Sequence, residues 1–301
     1  MFYLTLAIIS SAAIALIFKY SENTNSNRYL ITSTNYFVGS MISLFMIISK
    51  GLLIEINKTS SFFSEVKQIN SNLIFSPYSS IICGLLVGFI AGFFFFLSFI
   101  YYQKSVKENG VSVTGMIAKL GILIPMIFSI IIWKEYPSTI QWLGIILALT
   151  SIILVNMAPK TLENFDLKPG LILLFFFGGL AEFSNKIFQK YAISDFKDVF
   201  LFTVFFTAFI ISIFFTIKEK KPLRKKDILT GIAVGIPNLF SSYFLILSLN
   251  TVTTSVAFPL YSAGSIVLIN LGGYFIFKEK ISSKNKVAIL MTIIALVLIN
   301  L

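Results

Sequence analysis

Residues 131–138 read IIWKEYPS, and residues 275–282 read FIFKEKIS. Both octets lie inside longer segments, 111–156 and 255–300, which align without a gap at an offset of 144. Lys134 and Glu135 fall on Lys278 and Glu279, and Ser138 falls on Ser282. Further on, Ile145 meets Ile289, and Leu154-Val155-Asn156 meets Leu298-Ile299-Asn300. Each copy is an apolar run, a short Lys-Glu turn and a second apolar run. A helical membrane unit that occurs twice is the sequence mark of a secondary transporter, with the site between the copies.

The chain of 301 residues is 56% hydrophobic and 12% charged. A soluble domain of this length cannot hide that much apolar surface, so the solvent is lipid. Long apolar runs, rather than alternating ten-residue strands, favour helices over a barrel. The net charge of +11 does not point to nucleic acid, because the basic residues lie almost wholly between apolar runs, as membrane-flanking residues do. Cys83 is the single cysteine and histidine is absent, so no disulfide framework, thiolate metal site or other cofactor site is expected. The first run, 2–18, lacks a basic start and a cleavage site and reads as a retained helix.

Ten apolar runs approach the roughly 20 residues needed to span a bilayer. They lie at 2–18, 29–49, 79–102, 111–133, 139–157, 169–189, 198–217, 227–249, 253–277 and 285–301. The expected fold is therefore all-α and integral to the membrane. Residues 1–157 form one five-helix repeat, 158–168 a linker, and 169–301 the second repeat. An odd number of helices per copy inserts the second copy upside down. The polar segment 50–78 is long enough for a short interfacial helix near Phe62–Ile69. Run three carries Gly84, Gly88 and Gly92, and run eight Gly231 and Gly235; this small-residue spacing lets helix backbones approach closely. The loops after odd-numbered runs hold most of the Lys and Arg, which places them in the cytosol and both termini outside.

The two five-helix halves, the Lys-Glu turn after the fourth run of each, and the paired Lys19-Tyr20 and Lys190-Tyr191 carry a resemblance. The sequence resembles the EamA-like ten-helix members of the drug/metabolite transporter superfamily over nearly its whole length. Ser10, Ser11, Ala12 and Ala13 stand where that family usually has a Trp-Gly pair. The resemblance implies a multi-pass protein of the cell membrane with both termini cytosolic, opposite to the charge distribution.

Ionisable groups inside membrane helices cost roughly 2.5–3.5 kcal/mol, so each needs a reason. Lys119 in run four and Glu182 and Lys186 in run six are such groups. Glu182 and Lys186 share a helix face at i, i+4, which fits either a self-neutralising pair or a substrate and proton site. Asn185 adds a neutral donor and acceptor. Lys119 fits either a snorkelling lysine or a cavity residue facing Glu182. Asn238 is an amide at mid-helix, and Tyr243 and Tyr261 are phenols that need hydrogen bonds in a cavity wall. Gly121, Pro125, Pro237 and Pro259 are candidate hinges, because a proline frees a backbone carbonyl in lipid. Runs three, four, eight and nine are expected to line the centre.

These residues fit a secondary-active carrier of a small polar metabolite, working by alternating access as a monomer or homodimer. Two lysines and one glutamate would give a site charge near +1, favouring an amino-acid-like solute, an organic anion or a zwitterion. Glu182, as the acid placed in the hydrocarbon core, is the expected site of a coupling proton. Proton-coupled efflux of cationic drugs is the alternative. A membrane enzyme lacks its histidine, thiol pair and metal set, and no phosphate-binding loop marks a pump.

Overall fold

The computed structural model describes residues 1–21, 27–52, 61–68, 74–156, 168–219, 221–278 and 282–300. The expected linker therefore falls outside the described residues except at Lys168. In chain order the helices are α1 (Phe2–Ser21), α2 (Arg28–Ser49), α3 (Phe62–Lys67), α4 (Pro77–Leu120), α5 (Leu123–Trp133) and α6 (Thr139–Asn156). The second half holds α7 (Pro169–Tyr191), α8 (Lys197–Glu219), α9 (Lys225–Ser248), α10 (Thr254–Phe277) and α11 (Ser283–Asn300). No strand occurs among the described residues. Eight described segments are long and apolar enough to cross a membrane, Thr139–Val155 of α6 is a shorter apolar helix, and α11 packs on α6. The protein is an all-α membrane protein of two five-helix repeats.

Local chemistry sets the helix ends. Asn27 accepts from the Leu30 N–H and caps α2, while Ser76 accepts from the Ser79 N–H and caps α4, where Pro77 stands in the first turn. Glu65 on the short interfacial α3 accepts from the Ser76 N–H at 2.9 Å and its hydroxyl at 2.7 Å, fixing the entry to α4. At the repeated turns, Lys134 and Lys278 are the two non-glycine residues with positive φ among those described, at 56° and 55°. Each donates its N–H to a carbonyl five residues back, that of Ser129 or Gly273. A left-handed lysine costs roughly 1–2 kcal/mol, and both copies carry it at the same place.

Runs three and four differ from expectation in how they join. The sequence places a loop between residues 102 and 111, yet helical hydrogen bonding continues from Pro77 to Leu120. The chain nonetheless reverses between Ser105 and Met116. Ser98 and Ser105 lie beside Gly178 and Gly170, whereas Ile117 packs with Leu171 and Gly121 lies against Phe175 and Gly179. The two arms of α4 thus run along α7 in opposite directions, giving separate spans Pro77–Tyr102 and Thr114–Trp133. The backbone breaks instead at Gly121-Ile122. Pro125 has no N–H to give the Gly121 carbonyl and its ring crowds it. That carbonyl takes the Ile124 N–H at 3.0 Å.

The helix pairs obey a two-fold exchange of the halves. The third span packs on α8, the second helix of the other half, and α9, the third helix of its half, packs on α2. The contacts match residue for residue. A Cβ on Gly88 would lie 2.9 Å from the Phe200 carbonyl oxygen and 2.9 Å from Thr203 Cβ. On Gly231 it would lie 2.7 Å from the Ile31 oxygen and 2.6 Å from Thr34 Cβ. Because each half has five spans, corresponding helices point in opposite directions, so the axis lies in the membrane plane. The described loops after even-numbered spans gather on one face, where Phe75 donates to the Tyr191 carbonyl, Thr254 to Glu135 and Gln189 to Asn250.

These contacts predict the response to added bulk. Gly88→Leu or Gly231→Leu should each lower stability in detergent by about 1–3 kcal/mol, the usual cost of overpacking. Phe93→Leu, on a ring 42% exposed, should change it by less than ~0.5 kcal/mol. Thermal unfolding followed by size-exclusion chromatography reads both.

Candidate functional site

A cavity of about 150 Å³ lies at mid-depth where α4, α7 and α10 meet. Lys119 and Glu182 both line it, together with Phe95, Ser98, Tyr261 and Ser262. Lys119 reaches it because the Gly121-Ile122 break lets the fourth span approach α7: a Cβ on Gly121 would already lie 3.1 Å from the Phe175 oxygen. The two charges interact across the cavity. Asn185, fully buried, donates from Nδ2 to Glu182 Oε2 at 3.0 Å and fixes the carboxylate, while its own Oδ1 accepts no bond from the described residues.

Tyr261 faces Lys119, whose Nζ lies 5.9 Å from the ring centroid. Its hydroxyl shares a 2.6 Å hydrogen bond with Ser241 of α9. The wall thus offers a cation, an anion, a phenol face and two serine hydroxyls. Such a mixed set binds a small polar solute from several sides.

The other expected residues lie elsewhere. Lys186 does not pair with Glu182. Its Nζ bonds Glu135 Oε1 at 2.7 Å and Gln189 Oε1 at 3.1 Å, and lies 5.4 Å from the Trp133 ring centroid. A lysine extends towards the nearer membrane face, where the turn after α5 presents the acid. Asn238 donates to Asn35 Oδ1 at 3.1 Å, joining α9 to α2 rather than lining the cavity. Tyr243 lies on the even-loop face between Lys197 and Lys50, whose amino groups are 4.7 and 5.8 Å from its ring centroid. Of the four candidate hinges, Gly121 and Pro125 flank the break, whereas α9 and α10 run on through Pro237 and Pro259. Span six lines the cavity where span eight was expected. No group of His, Cys, Asp or Glu among the described residues is arranged to hold a metal ion.

Glu135 is a buried-charge partner that the charge search missed, because it sits in a turn. It accepts from the Thr254 N–H at 2.8 Å through Oε2, and Ser255 donates to its backbone oxygen at 3.2 Å. The signal was present in the sequence: the two repeats both keep a Lys-Glu pair at that turn.

Residues 1–157 and 170–301 match the model of the EamA-like transporter family. The chain belongs to that family. It is a multi-pass membrane transporter. A Haemophilus influenzae protein, named "Uncharacterized protein", is 23% identical over 97% of this chain and 95% of its own. Proteins of two Bacillus cereus strains, each named "Putative sugar uptake protein", are 30% identical over 65% of this chain and 70% of theirs. A solved crystal structure has the same fold, with a TM-score of 0.70 at 14% identity over 99% of this chain and 94% of the other.

The Glu135–Lys186 pair predicts an asymmetry. Burial pushes the Glu135 carboxyl up, but the bonded Lys186 ammonium and the Thr254 N–H outweigh it and hold the group below its ordinary range. Its stabilisation is then present above the ordinary carboxylate pKa and lost as pH falls through the lowered value. Glu135→Ala strands the buried ammonium and should cost about 3–5 kcal/mol, whereas Lys186→Met leaves a partly exposed carboxylate and should cost less. Thermal unfolding across pH 3–7 tests this; the wild-type advantage over Lys186→Met should shrink at the acid end.

Proposed function

We propose that this EamA-like protein is a secondary-active carrier of a small polar solute without net charge, a sugar or an amino-acid-like zwitterion. Alternating access would rock residues 1–157 against 169–301 about the central cavity. The observation that carries this reading is the balance of charge: one lysine and one glutamate face the cavity. The second lysine, expected to make the site positive, is held by Glu135, so the case for an organic anion loses its cation. A hydroxyl-bearing or zwitterionic solute meets donor, acceptor and aromatic face together. The volume also fits a small metabolite better than a drug, since drug-sized pockets run to roughly 300–1,000 Å³. The sugar-uptake names of the Bacillus cereus relatives point the same way.

Glu182 is the group best placed to carry a coupling proton. It is an acid in contact with the cavity and within electrostatic reach of Lys119, so solute, proton and lysine compete for one carboxylate. Proteoliposomes holding purified protein test both parts. A panel of monosaccharides, neutral amino acids, dicarboxylates and quaternary ammonium compounds should show saturable uptake for one of the first two classes. Transport confined to lipophilic cations or to dicarboxylates would overturn the substrate assignment. Glu182→Gln should abolish accumulation driven by a pH gradient and leave counterflow exchange measurable. Gradient-driven uptake at the wild-type rate in that variant would eliminate the proton role.

A further inference from the structure

Lys186 lies one helical turn beyond Glu182 towards the end of α7, a rise of about 6 Å, so its bond to Glu135 sits between the cavity and the even-loop face. Three elements converge on that carboxylate. The turn after α5 supplies it, α10 offers the Thr254 N–H and α7 offers the Lys186 ammonium. Two of these elements, α10 and α7, carry Tyr261 and Glu182 into the cavity, and α5 belongs to the same membrane span, Thr114–Trp133, as Lys119. Lys186 is 3% exposed, and Trp133 extends the closure by donating its indole N–H to the Tyr191 hydroxyl at 3.0 Å. Outside the pair, Gln189 donates to Asn250 Oδ1 at 3.0 Å, and Asn250 donates to Ser194 at 2.9 Å. These three residues line a shallow vestibule on the even-loop face.

We propose that Glu135 is a gating residue of the transport cycle. Its bond to Lys186 shuts the cavity on the even-loop face, and that face opens only when the bond breaks. The proposal rests on the alternating-access reading above. A buried pair suits the task because it is stable only in good geometry: once the arms separate, both charges reach water in the vestibule, and the pair exchanges one solvation for another. The same carboxylate caps the start of α10, so releasing Lys186 also frees the end of the helix that bears Tyr261. Opening and remodelling of the cavity wall are thereby linked through one side chain. The repeat gives the arrangement a partial counterpart at the other end of the bundle. There Lys19 lies 5.4 Å from the ring centroid of Phe277 at the end of α10, as Lys186 lies over Trp133 at the end of α5.

Site-directed labelling tests the gate without knowledge of the solute. Cys83 is the single cysteine, so a Cys83→Ala background accepts one reporter at a time. Ala118→Cys places a thiol in the cavity wall, and Ser138→Cys, in a second protein, marks which vesicle side carries the even loops. A membrane-impermeant maleimide is applied to right-side-out and inside-out vesicles. The cavity thiol should react slowly from the Ser138 side. Adding Glu135→Gln should raise that rate about tenfold, the response to ~1.4 kcal/mol. Glu219→Gln, which removes a surface pair with Lys221 beyond the other end of α8, should leave it unchanged. An unchanged rate in folded Glu135→Gln protein overturns the proposal. Should that variant fail to elute as a single species, Lys186→Gln carries the same test. Loss of folding in both would make the pair a scaffold and sink the gate. A wrong substrate class leaves the labelling result untouched, whereas labelling from neither side in any variant would contradict the alternating-access reading itself.

Discussion

Three charged side chains lie inside an apolar bundle, and hydrocarbon offers none of them water. An unpaired charge there costs several kcal/mol, so the position of each partner constrains how the helices meet. Lys119 and Glu182 solve the problem by facing one polar cavity, with Asn185 holding the carboxylate. Lys186 solves it by reaching Glu135 at the end of the bundle. In the proposed reading the first arrangement holds the solute and the second closes over it.

Close helix contacts make both arrangements geometrically possible. Gly88 and Gly92 let the third span touch the backbone of α8, and Gly231 and Gly235 do the same for α9 on α2. Gly121 against Gly179 brings the broken fourth span onto α7, which is why a lysine and a glutamate from different halves share one cavity. Van der Waals packing of this kind, rather than hydrophobic burial, is the available cohesion between helices in lipid. The two interlocked pairs exchange under the same two-fold operation as the halves, so the scaffold is symmetric while the charges are not. Lys119 falls on Ala263 in the repeat, and the helix break at Gly121 has Ser265 as its counterpart. The charged pair of the cavity thus arises from departures from the repeat.

Much of this was legible in the sequence because membrane constraints are one-dimensional. Run length gave the spans, the 144-residue offset gave the halves, and glycine spacing gave the contacts. Pro125 with Gly121 marked the break. What could not be read were pairings between distant segments. The i, i+4 spacing put Glu182 and Lys186 on one face, but Lys186 bonds an acid in a turn 51 positions away in the chain rather than the acid one turn back. Periodicity carries no information about that choice. The same holds for Asn238, whose partner Asn35 belongs to the opposite half, and for the continuous helical backbone across residues 103–110, where polarity alone suggested a loop.

The central claim is that the cavity shared by Lys119 and Glu182 binds the transported solute. Calorimetric titration of that solute, once uptake identifies it, against wild-type protein, Lys119→Met and Lys190→Met measures it most directly. A hydrogen bond to a charged group contributes about 1.5–3 kcal/mol, so Lys119→Met should weaken binding by roughly tenfold or more. Lys190→Met, beyond the closure on the same even-loop side, should bind as the wild type does. Unchanged affinity in folded Lys119→Met protein would contradict the account.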